Sequence, residues 1–161
     1  MSVRSDTELL SKTPLFADVD PVQLQVLVFS AERLEIAAGE TLFAPGSQVG
    51  AGYLVLDGQG EVLTSGGGDV EAPEPVARVE AGAFIGERAM IANLPVSMTV
   101  RARTQMRVLR IGHELFLRVC GEFPEIGEKV MEALAQRLET SLEDLRQVQA
   151  HFDRARPFSD S

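Results

Sequence analysis

One cysteine, two histidines and no long apolar run mark what these 161 residues have least of, and each shortage excludes a class of chemistry. Cys120 alone cannot close an intramolecular disulfide, and the opening MSVRSDTELL lacks the apolar core of a secretory signal, so a reducing cytoplasm is the expected compartment. Every apolar stretch is broken by Gly, Asp or Glu well short of the roughly 18 residues that cross a bilayer. Positive charge is scarce as well. Fifteen Lys and Arg stand against 24 Asp and Glu, for a net charge of −9 at pH 7. A surface this acidic has no large attraction for phosphate backbones or anionic lipid, so neither nucleic acid nor membrane is an expected partner. No Ser/His/Asp or Cys/His arrangement is visible, and Cys120, beside Leu117 and Val119, reads as a packed helix residue. An enzyme is not expected.

What is present is the composition of one folded domain, 45% hydrophobic and 24% charged. Asp20 and Pro21 have the N-cap and first-turn character of a helix over 20–30, with Leu24, Leu27 and Val28 on its inner face. From 32 to 111 glycines punctuate short apolar segments, including the run Gly66-Gly67-Gly68, which reads as a hairpin tip. Ser97 to Arg103 is the clearest strand, because Met98, Val100 and Ala102 alternate with polar residues. Seven or eight strands at this spacing predict a mainly β domain, an eight-stranded jelly roll with flanking helices.

After the roll, the segment HELFLRV and a stretch from Pro124 to about Phe152 predict helices over 112–152, with 153–161 as a frayed tail. Met131, Leu134, Leu138, Ser141, Leu145, Val148 and Phe152 alternate spacings of three and four, and all but Ser141 are apolar. That is a coiled-coil seam, and it predicts a long C-terminal dimerisation helix in a homodimer. Ile126, Val130 and Leu142 form an adjoining face for the chain's own core. A polar Ser141 in the seam is open to two readings, a register device or a ligand contact.

Four segments, LSKTPLFADVDPVQL (10–24), AAGETLFAPGS (37–47), YLVLDGQGEV (53–62) and FIGERAMIANLPVSMTV (84–100), resemble in order and spacing the cyclic-nucleotide-binding domains of catabolite activator proteins and of cyclic-nucleotide-dependent kinase regulatory subunits. The resemblance covers 1–152 as a single domain. It implies a regulatory module sensing cyclic AMP or cyclic GMP, or a nucleoside-like ligand, and signalling to a protein partner through its C-terminal helix. The alternative is a degenerate, ligand-free dimerisation module. A helix-turn-helix follows in the activator branch, whereas here about nine residues follow Phe152, so no DNA-reading element is expected. Jelly rolls also house metal-dependent cupins, but those need several converging ligands, and His113 and His151 both fall outside the strands, so no metal is expected.

The resemblance assigns the ligand site to Phe84, Ile85, Gly86, Glu87, Arg88, Ala89, Val96, Ser97 and Met98, with Ser141 closing over the base. Glu87 matches a ribose-binding glutamate, Ser97 a hydroxyl donor, and the short helix after Gly86 directs backbone N–H groups toward an anion. One position departs. Val96 stands where the family keeps the arginine that pairs with the cyclic phosphate, which weakens the expected binding. Arg88 is the nearest substitute; Arg101 and Arg103 lie farther along a strand and are expected to face solvent.

Overall fold

A computed structural model describes residues 2–44, 50–63, 75–95 and 98–137 of the protein. The chain begins with a helix that the sequence patterning did not reveal, α1 (Val3–Ser11). Its signal is a reciprocal cap: the Ser5 N–H donates to Ser2 Oγ at 3.2 Å, and the Ser2 N–H to Ser5 Oγ at 3.1 Å. The helix buries Asp6, Thr7 and Leu10 rather than a continuous apolar stripe, which is why periodicity misses it. Arg33 accounts for the buried carboxylate, since its Nε and Nη2 donate to Asp6 Oδ2 at 2.9 and 2.6 Å.

The second helix, α2 (Pro21–Ser30), starts where expected, with the Val22 N–H donating to Asp20 Oδ1 at 2.9 Å and Leu24, Leu27 and Val28 fully buried. Eight strands follow: β1 (Glu32–Ile36), β2 (Thr41–Phe43), β3 (Ala51–Asp57), β4 (Gly60–Leu63), β5 (Pro75–Val79), β6 (Phe84–Ile85), β7 (Thr99–Ala102) and β8 (Met106–Gly112). They form two antiparallel sheets, in the orders β1-β8-β3-β6 and β2-β7-β4-β5. This is the double-sheet arrangement of a jelly roll. On β7 Val100 and Ala102 are buried while Arg101 is exposed, the alternation read from the sequence.

The first sheet is covered on both faces, and β3 and β8 show why their sequences are nearly continuous in apolar residues. Ala51, Tyr53 and Val55 of β3, with Met106 and Val108 of β8, point into the roll, whereas Leu54, Leu56, Leu109 and Ile111 point to the helices. Two hydrophobic clusters therefore share one sheet as their wall. Among the described residues three further helices follow: α3 (Glu87–Ala92) between β6 and β7, then α4 (His113–Glu122) and α5 (Pro124–Arg137) after β8.

The start of the C-terminal helix corrects one expectation. Ile126, Val130 and Leu134 form a stripe with no solvent exposure inside the helical cluster, against which Met131 also packs. Leu134 thus belongs to the protomer's own core and is unavailable to a second chain. The remaining seam positions, Leu138, Leu145, Val148 and Phe152, together with Ser141 and Leu142, lie outside the described residues.

Candidate functional site

The segment 84–95 is built around Gly86, the N-cap of α3. Its φ is +83°, and a Cβ there would stand 2.7 Å from Phe43 Cζ and 2.9 Å from the Ala51 carbonyl oxygen. Only glycine satisfies both the left-handed backbone and this approach to β3. A neighbouring glycine makes a second accommodation: a Cβ on Gly52 would lie 2.6 Å from Phe84 Cζ. Gly52, expected among the glycines that separate apolar segments, instead lies inside β3, where a glycine marks such an approach. These two positions press the start of α3 onto β3.

Strand alternation then separates two of the residues that the resemblance grouped. Ile85 pairs with Tyr53 and points into the roll cluster, together with Ala89 and Met98. Phe84 points the other way, with its ring edge-on to Phe16 at 5.4 Å between centroids, within the helical cluster. Phe84 therefore packs into the helical layer while remaining partly exposed. Glu87 and Arg88 occupy the first turn of α3 and are half-buried. Arg88 Nε is buried and has no hydrogen-bond partner among the described residues, an orphan donor that an acceptor would satisfy. Val96 and Ser97 lie outside the described residues.

The two distal arginines are occupied elsewhere. Arg101 on β7 and Arg103 just beyond its end are nearly half-exposed, as expected, and flank Glu61 at 3.6 and 3.9 Å. His113 is the residue that sequence reasoning missed. Its Nδ1 lies 2.7 Å from the Met90 carbonyl oxygen, and since that oxygen can only accept, Nδ1 carries the proton. The His113 N–H also donates to the Gly50 carbonyl at 2.8 Å. One residue at the start of α4 thus ties that helix to the last turn of α3, and nothing in the local pattern announces it.

A cleft of about 560 Å³ opens beside this junction, walled by Arg110, His113, Arg118, Glu32 and Glu114 among others. Its two guanidinium groups are matched by two carboxylates, and Arg110 already stands 3.6 Å from Glu32. It offers no net charge to a phosphate. Among the described residues no group of three or more His, Cys, Asp or Glu side chains is placed to hold a metal ion, and no helix is long and apolar enough to cross a membrane.

Residues 33–123 match the family of the cyclic nucleotide-binding domain. The chain belongs to that family. A cAMP-dependent protein kinase regulatory subunit of Emericella nidulans is 27% identical over 117 residues, 73% of this chain and 27% of the relative. The chain therefore spans about a quarter of the length of that curated relative. Among solved structures, the N-terminal domain of a transcriptional regulator from Streptomyces coelicolor superposes with a TM-score of 0.74 at 27% identity, over 84% of this chain and 95% of that one. A cyclic nucleotide-binding-like protein from Brucella abortus is 31% identical, with a TM-score of 0.64 over 71% of this chain and 97% of that one. This cyclic nucleotide-binding domain is thus homologous to kinase regulatory subunits, and its two antiparallel sheets with flanking helices are the family's architecture.

Proposed function

We propose that this domain is a non-enzymatic regulatory module that senses a cyclic nucleotide, or a nucleoside-like ligand, beside Gly86–Met90 and passes its occupancy to the C-terminal helices. The observation that carries the reading is the Gly86 seat. A left-handed position beside Phe43 and the β3 backbone that only glycine fits is a specific local requirement, and it stands in the segment that the family resemblance assigns to the cyclic phosphate. The regulatory subunits among the relatives favour cyclic AMP as the first ligand to try. The hydrogen bond from His113 to Met90 supports a mechanical route from that segment to α4.

Val96 sets the strength. A charge-assisted hydrogen bond to phosphate contributes about 1.5–3 kcal/mol, so its loss weakens binding about 10- to 150-fold. The orphan Arg88 Nε is the one compensating feature on α3's first turn, since a nearby acceptor would relieve it. Val96 also favours a second reading, a domain that keeps the fold and dispenses with the ligand. Native mass spectrometry of the purified chain, with and without added cyclic AMP and cyclic GMP, separates the two. A one-to-one nucleotide adduct supports sensing. An adduct-free spectrum at saturating nucleotide supports the ligand-free module.

A further inference from the structure

The sheet β2-β7-β4-β5 turns Val79, Val100 and Ala102 into the roll and leaves its other face outward. Across that outer face the register sets one row: Arg78 on β5 stands opposite Glu61 on β4, Glu61 opposite Arg101 on β7, and Arg101 opposite Thr41 on β2. Residues directly opposite in antiparallel strands share a face. Arg103, two residues beyond Arg101, joins the row, since its Nη1 lies 3.9 Å from Glu61 Oε1 while Arg101 Nη2 lies 3.6 Å from Glu61 Oε2. Three guanidinium groups thus serve one carboxylate. One arginine would neutralise Glu61, and each further one adds like-charge repulsion, which weakens a sheet face rather than holding it. Arg78 is exposed and joins no ion pair among the described residues, and neither does exposed Glu80 just past the end of β5. The contacts of Arg101 and Arg103 with Glu61 are looser than hydrogen bonds, so their N–H groups keep room for a second acceptor. The row carries a net +2. Without its four charged residues the chain has 12 Lys and Arg against 23 Asp and Glu, from 15 and 24.

We propose that this face docks a short, carboxylate-rich peptide segment of a protein partner. Charge complementarity sets the class, because guanidinium groups present paired N–H donors that match a carboxylate. Arg78 and Arg101 lie two strands apart, about 10 Å, the span of about three residues of extended chain, so acidic side chains at that spacing meet both. A long polyanion or an anionic bilayer extends past the row onto a chain that is otherwise strongly acidic, and is repelled there. A short segment touches the row alone. None of these residues belongs to the proposed nucleotide site, so the two readings fail separately.

The test is fluorescence anisotropy of a labelled, glutamate-rich peptide titrated with the full chain at low and at physiological salt. The wild type is expected to bind it weakly, with an affinity that falls as salt rises. Arg78→Ala combined with Arg103→Ala leaves the Arg101–Glu61 pair in place, so the protein should melt unchanged while binding weakens about 4- to 25-fold, about two- to fivefold for each exposed charge removed. Glu61→Gln, which removes the competing carboxylate, should tighten binding about two- to fivefold. No salt-dependent binding by the wild type overturns the proposal, as does a double variant that binds as well as the wild type. Tighter binding of duplex DNA or of phosphatidylserine vesicles than of the peptide overturns it too, in favour of an extended polyanion.

Discussion

Gly86→Ala isolates the geometric claim on which the site rests. Two separate penalties follow from the structure. The left-handed φ of +83° costs an L-residue about 1–2 kcal/mol. The added methyl also meets Phe43 Cζ at 2.7 Å and the Ala51 carbonyl oxygen at 2.9 Å, and because one of these is backbone, relief requires α3 to shift, costing about 1–3 kcal/mol more. Gly39→Ala is the control, since Gly39 has a φ of +88° but nothing within 4 Å of its virtual Cβ, so only the backbone penalty applies. For a chain of this size each kcal/mol moves the midpoint by about 2–4 °C. Thermal unfolding by circular dichroism should therefore show Gly86→Ala melting about 4–20 °C below wild type, and Gly39→Ala about 2–8 °C below. Equal shifts for the two variants would refute the crowding argument, and an unshifted Gly86→Ala would refute both terms.

Asp6→Ala should destabilise by about 1–3 kcal/mol in urea titration, the modest end of buried-pair removal, because Arg33 is 42% exposed and can turn to water. A change below the resolution of the titration would show that α1 is held by Leu10 alone. Leu134→Ala should cost about 2–5 kcal/mol even at protein concentrations too low for any dimer, since the side chain is fully buried within one protomer. A concentration-dependent loss would return Leu134 to an intermolecular seam. His113→Ala should loosen α4 from α3, and hydrogen exchange at the first turn of α4 is expected to quicken without global unfolding.

The β-rich class, the N-capped helix at Asp20 and the alternation at Val100 and Ala102 were legible because each rests on local rules of capping and period. The break between α4 and α5 was equally open to reading, at Pro124. The helix α1 was not, since its inner face is carried by Asp6 and Thr7 and makes sense only once Arg33 arrives from 27 residues away. Leu134 misled for a different reason. On a helix, the stripe Ile126-Val130-Leu134 and the seam beginning Met131-Leu134 share a residue, and only packing decides which face claims it. At the proposed site, Gly86 and its flanks were recognisable by resemblance, but the two-residue strand β6 divides Phe84 from Ile85, and a family pattern does not say which of them turns to the helices and which into the roll. His113 was silent, because a single histidine bonded to a backbone carbonyl has no sequence signature.

The central claim is the proposed nucleotide site beside Gly86, with Val96 where the family keeps its phosphate-pairing arginine, and calorimetric titration of the wild type and Val96→Arg with cyclic AMP and cyclic GMP tests it most directly. The account predicts weak or undetectable wild-type binding that Val96→Arg tightens at least tenfold, about 1.4 kcal/mol or more from one recovered charge-assisted contact, with Glu87→Ala in the Val96→Arg background reversing much of the gain. Nanomolar binding by the wild type, or no response to the introduced arginine, would contradict it.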